Sequence, residues 1–168
     1  MEDLSLHVLD IAENAVAAGA RRVDIRVTED EKKDVLTIEI EDDGKGMSQQ
    51  ELEAATDPFF TTKRGKRVGL GLALFSQAAA ESEGKLEITS EPGRGAVVKA
   101  TFKRSHIDRK PLGDMSQTLT ALIAGHPGVR FTYAYRKGKT ESRLDTAEMW
   151  AKEFWRTIEP EEGRDEKV

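Results

Sequence analysis

The sequence predicts an α/β (α+β) fold: a two-layer sandwich with helices on one face of a mixed, mostly antiparallel sheet. Two patterns carry that expectation. Apolar residues recur at helical spacing in 4–16 and 70–83, whereas they alternate with polar residues in 23–27, 36–40, 86–90 and 96–103. Beyond residue 112, a helix, a hairpin and a second helix predict a small C-terminal extension.

Taken in order, Leu4, His7, Val8, Ile11, Ala12, Ala15 and Val16 share one helical face, and Gly19 stands where that helix should stop. Val23, Ile25 and Val27, then Leu36, Ile38 and Ile40, form two strands joined by the charged turn 29–34. Ser48 with Glu51 has the form of a capping box for a short helix to about Ala55. Residues 57–68 have no periodicity and carry Lys63, Arg64, Lys66 and Arg67, as a mobile loop would. A helix over 70–83 follows, then strands 86–90 and 96–103 around the turn Glu91-Pro92-Gly93-Arg94-Gly95.

These elements assign 1–104 to one domain and 105–112 to a polar, proline-containing linker. Residues 113–158 form the extension and 159–168 a charged tail. Asp114 caps a helix to about Ala124; Val129, Phe131, Tyr133 and Tyr135 then alternate before the turn 136–139, as in a hairpin. Asp145 and Glu148 frame a last helix start, which carries both tryptophans, Trp150 and Trp155. So small an extension is stable when its aromatic residues bury one another and it docks on the first domain.

Composition excludes several classes. A net charge of −5 offers no basic excess for nucleic acid. The absence of cysteine rules out disulfides and thiolate metal sites. With no apolar run of membrane-spanning length and no signal-peptide pattern after Met1-Glu2-Asp3, the expected partners include no membrane and the expected location is cytoplasmic.

The chemistry concentrates in three places. Asp42-Asp43-Gly44-Lys45-Gly46 closes the second strand, where a carboxylate can accept from an exocyclic amine while glycines admit a flat ring. Gly69-Leu70-Gly71-Leu72 opens a helix, offering free N–H groups and the positive end of its dipole to phosphates. Asp10 and Asn14 lie one turn apart on the first helix, and an amide oxygen suits magnesium, which draws the rest of its shell from water and phosphate. Together they point to a purine nucleoside triphosphate site.

The order of these pieces resembles the ATP-binding domain shared by sensor histidine kinases, gyrase, heat-shock chaperones and mismatch-repair ATPases, the GHKL superfamily with its Bergerat-type fold. The kinase branch is the nearest. Its pattern is met by an asparagine helix (Leu9 to Ala15), Asp42-x-Gly44-x-Gly46, Pro58-Phe59-Phe60-Thr61-Thr62-Lys63, Gly69-Leu70-Gly71-Leu72 and the tail Gly84 to Gly95. The likeness covers roughly residues 4–104. The first four of these motifs, standing in fixed order, make it specific.

The resemblance implies ATP and magnesium as cofactors. By it, Asp42 takes the adenine amine, Gly44 and Gly46 make room, Met47 packs on the ring, and Asn14 is the magnesium ligand. Lys63 is the first candidate to pair with the β or γ phosphate, with Arg64 and Arg67 as secondary ones, and Gly69, Leu70, Gly71 and Leu72 supply the helix start that holds the phosphates. Asp10 falls where chaperone-type relatives carry a water-activating glutamate. Asp43 is expected to be a turn residue and Glu13 an exposed one.

The sequence also departs from the pattern. Arg67 replaces the first glycine of a Gly-x-Gly-x-Gly lid, Asp10 is one methylene shorter than glutamate, Ala17 replaces lysine or aspartate, and Ala96 and Val97 lack the threonine hydroxyl. His7, His106 and His126 do not have the setting of an acceptor histidine, so autophosphorylation in cis is not expected. Three function classes follow: a catalytic partner passing the γ-phosphate to another protein, an ATP-responsive binding module acting on a regulated protein, and an ATP-driven clamp. The sequence names neither the partner nor the oligomeric state.

Overall fold

A computed structural model describes residues 3–56 and 70–149. Helix α1 (Leu4–Ala17) leads into strands β1 (Arg22–Asp30) and β2 (Val35–Asp42). Helices α2 (Gln49–Thr56) and α3 (Leu70–Glu81) precede β3 (Lys85–Ser90) and β4 (Ala96–Lys103). Helix α4 (Met115–Gly125) and strands β5 (Arg130–Lys137) and β6 (Thr140–Asp145) complete the order. The capping box is present, with Glu51 N–H on Ser48 Oγ at 3.2 Å and Ser48 N–H on Glu51 Oε1 at 3.4 Å.

The strands form one six-stranded sheet in the order β3-β4-β2-β1-β5-β6. Among the described residues only β1 and β5 pair in parallel; every other neighbour is antiparallel. This is the predicted mixed, mostly antiparallel sheet. Alternation decides which face is buried: Val23, Ile25 and Val27, Leu36, Ile38 and Ile40, and Val98, Ala100 and Phe102 turn inward against Leu4, Val8 and Ile11 of α1, Phe75 of α3 and Leu122 of α4. The intervening residues put charges on the other face, where Arg26 bonds Glu39 and Glu41 across β1 and β2.

The C-terminal elements join this sheet. Strand β5 runs beside β1 with Ile25 opposite Tyr133, and β5 and β6 form the expected hairpin. Phe131 is fully buried in the shared core. Asp114 accepts from Gln117 N–H at 3.0 Å, capping α4 as its position predicts. Thr118 Oγ1 donates to the Ser5 carbonyl at 3.1 Å, fastening α4 to α1. The linker has a capping role of its own: the carbonyls of Pro111 and Leu112 accept the Leu4 and Ser5 N–H groups, which a helix otherwise leaves unsatisfied. Residues 146–149 begin the expected last helix, while Trp150 and Trp155 lie outside the described residues.

Candidate functional site

Strand β2 carries Asp42 to the end of the sheet's centre, opposite Val23 of β1 and Ala96 of β4. Its carboxylate is half-buried, and Oδ1 accepts the Gly44 N–H at 2.8 Å. Burial pushes this carboxyl above the ordinary aspartate value; the Gly44 bond opposes the shift, and the charges of Asp43 and Glu41 add to it. A desolvated acceptor at a strand end is the chemistry that reading an amine requires.

The loop after Asp42 is set by backbone contacts on both sides. Lys45 N–H bonds the Ala18 carbonyl at 3.0 Å, and Gly93 N–H bonds the Lys45 carbonyl at 2.6 Å. Gly46 sits at φ +69°, where a Cβ would lie 2.0 Å from the Glu91 carbonyl oxygen. Gly95, at φ +79°, meets the Asp42 carbonyl as closely. Glycine at both places is a condition for the two turns to touch at all. Met47 donates its N–H to Ser90 Oγ at 2.8 Å while its side chain packs against the core.

Helix α1 connects this loop to the second motif. A Cβ at Gly71, in the first turn of α3, would stand 3.4 Å from Asp10 Cβ and 4.0 Å from Asn14 Nδ2, so α3 begins directly against the face bearing both residues. Asp10 is exposed and Asn14 half-buried. Ala18, which receives Lys45, lies one turn beyond Asn14, about 6 Å along the axis. Leu72 is buried and anchors the helix start in the core. Lys63, Arg67 and Gly69 fall outside the described residues, and of Leu70 only the helical backbone is described.

One expectation is revised and another extended. Glu13 is not simply exposed: it is partly buried, with Oε2 2.6 Å from Nε2 of His126 at the end of α4. The cause is α4 itself, which packs along α1 and brings His126 to it. Asp43 is indeed a turn residue, but its Oδ1 also accepts the Arg21 and Arg22 N–H groups at 2.8 and 2.9 Å and so fixes the start of β1. Ser90 was not singled out. Its hydroxyl joins the two turns, accepting from Met47 and donating to the Gly95 carbonyl at 2.8 Å, and its position at the end of β3, opposite Ala96, was the available signal.

Among the described residues no cluster of three or more His, Cys, Asp or Glu is placed to hold a metal alone. Asn14 stands beside the start of α3, and its amide oxygen is of the type that could join phosphate oxygens and water around magnesium.

A family profile described as histidine kinase-, DNA gyrase B- and HSP90-like ATPase matches residues 2–106, and the chain belongs to that family. It is therefore an ATP-binding domain of the histidine kinase-like kind. Over 94 residues it is 32% identical to sporulation kinase C of Bacillus subtilis (strain 168), covering 56% of this chain and 22% of the kinase. It is 33% identical over 89 residues to sensor histidine kinase ZraS of Escherichia coli (strain K12), covering 53% and 19%. A putative sensor histidine kinase NtrY-like protein of Rickettsia conorii is 29% identical over 110 residues, covering 66% and 18%. The chain thus spans about a fifth of the length of these curated relatives. Among the described residues no helix is long and apolar enough to cross a membrane.

Proposed function

We propose that this domain binds ATP with magnesium and serves as a kinase-type catalytic partner, transferring the γ-phosphoryl group to a residue on another protein. The observation that carries the reading is Asp42, a half-buried carboxylate with a raised pKa at the end of β2, within the stretch matched by the family profile. In this reading Asp42 accepts the adenine amine beside Gly44, Gly46 and Met47. Asn14 holds magnesium together with the phosphates, and the metal, when bound, neutralises charge on the transferring group. The N–H groups of Gly69, Leu70 and Gly71 receive phosphate oxygens at the head of α3, above Leu72, while Lys63 and Arg67 balance their charge. Asp10, across from Gly71, positions the attacking group. In the transfer the γ-phosphorus to bridging-oxygen bond breaks, a bond to the acceptor's nucleophile forms, and ADP leaves.

Residues that differ from the family pattern support a second reading. With Asp10 shorter than the usual glutamate and Arg67 in place of a lid glycine, ATP binding without turnover would make this a nucleotide-responsive regulator of a protein partner. Incubation of the full chain with γ-labelled ATP, magnesium and candidate partner proteins separates the two. Label on a second protein, lost in Asn14→Ala, is the expected result; saturable ATP binding with no label on any partner would overturn the transfer reading in favour of the regulator. The expected location is the cytoplasm, with neither nucleic acid nor membrane as partner.

A further inference from the structure

We infer that the chain associates with a second copy of itself through the edge strand β6, extending the sheet across a two-fold axis at Ser142. Strand β6 is the last in the sheet, hydrogen-bonded to β5 alone among the described residues, and 140–143 are exposed. Edge strands present an unpaired row of N–H and C=O groups, and their charges decide what pairs with them. Here the charges read Lys139 in the preceding turn, then Glu141, Arg143 and Asp145 of the strand, at alternate positions.

The alternation is self-complementary in one register. An antiparallel pair centred on Ser142 places each Glu141 opposite the other copy's Arg143, and each Lys139 opposite the other copy's Asp145. On the other face it sets Thr140 against Leu144. Shifting the centre to 141 opposes Glu141 with itself and Lys139 with Arg143; shifting it to 143 opposes Arg143 with itself and Glu141 with Asp145. Both cost like-charge contacts. Parallel in-register stacking opposes every charge with its own kind, so the pattern selects a closed pair rather than an open stack.

The surroundings agree. Arg143 borders a cavity of about 360 Å³ on the helix-free face, beside Arg22, Asp24, Arg130, Thr132 and Asp145. There Arg22 pairs with Asp24 and Arg130 with Asp145, whereas Arg143 makes no ion pair among the described residues. Glu141 has only a loose contact, 3.7 Å from Arg136. The two side chains that the Ser142-centred register brings together are thus the least committed charges on this strand, and the Glu141 and Arg143 pair sets the register more than Lys139 and Asp145.

Sedimentation of the full chain over a wide concentration range tests this, with and without ATP, since the contact does not involve the nucleotide site. The wild-type mass should rise with concentration from 18.6 kDa to twice that value. Glu141→Arg and Arg143→Glu should each weaken association by about tenfold or more, because each sets two like-charge pairs across the axis. The double variant Glu141→Arg/Arg143→Glu should restore it, with circular dichroism showing all three folded. A wild type that stays at 18.6 kDa throughout, single reversals that leave the dimer intact, or a double variant no better than the singles would each overturn the inference.

Discussion

The loop after β2 and the seam between β1 and β5 lie at two borders of the same strand, yet different chemistry holds them. The loop is fixed mainly by backbone groups: Lys45 on Ala18, Gly93 on Lys45, and Gly46 and Gly95 in contact with facing carbonyls. The seam adds side-chain polar pairs to its ladder. Tyr135 donates to Glu29 and Thr132 to Asp24, while Arg104, just past β4, bonds Glu29 at 3.2 Å from outside the seam. The first arrangement is sensitive to added atoms. The second responds to protonation, because Glu29 is held below its ordinary value. A site that must keep one shape while charged phosphates come and go is better served by the first.

The largest effect that would sharpen this contrast is at Gly46. Gly46→Ala puts a methyl 2.0 Å from the Glu91 carbonyl at φ +69°, which should cost about 3 kcal/mol or more and lower Tm by roughly 6–12 °C. An unchanged melt would mean that the two turns do not touch. Next is Asn14→Ala, expected to weaken magnesium-dependent ATP binding by about 1–3 kcal/mol while sparing metal-free binding. Equal losses with and without the metal, seen by calorimetry, would remove Asn14 as its ligand.

At the seam the effects are smaller and depend on pH. Burial raises Glu29, but the bonds from Tyr135 and Arg104 outweigh it and hold the carboxyl below its ordinary value. Because the folded value is depressed, Glu29 contributes stability that is complete above its unfolded value of 4.5 and is lost as pH falls through the folded one. Tyr135→Phe should cost about 1 kcal/mol at neutral pH, and Glu29 should titrate higher in that variant by NMR. Tyr135 itself is pushed up to about 12, by burial first and then by the Glu29 bond. Smallest of all, Arg26→Gln breaks the partly exposed bonds to Glu39 and Glu41 for about 0.2–1 kcal/mol, and added salt should shrink the difference.

The parts of the fold visible in the sequence are those where one segment suffices. Alternation in Val23 to Val27 or Leu36 to Ile40 reports which side chains face inward, and the helical repeat of α1 does the same. Alternation does not report neighbours. Nothing within Phe131, Tyr133 and Tyr135 says that they align with Val23, Ile25 and Val27 in parallel, because that pairing needs α4 to carry the chain across the sheet. The Glu13 and His126 contact was hidden for the same reason, its partners being 113 residues apart. In the site, Asp42, Gly44 and Gly46 stand out as a motif, whereas Ser90 acts only once β3 is placed beside the loop.

The central claim is that Asp42 is kept half-buried for a ligand rather than for the fold. Its raised pKa means that the ionised carboxylate costs the empty protein stability, a cost relieved as pH falls through the folded value and absent below the unfolded value of 3.8. Asp42→Asn removes that charge and keeps an oxygen for the Gly44 N–H. Calorimetric titration with ATP and magnesium, beside a thermal melt of the empty protein, therefore tests the claim directly. The account predicts an unchanged or raised Tm and an ATP affinity lower by about 1–3 kcal/mol. Unchanged ATP affinity in Asp42→Asn would contradict it.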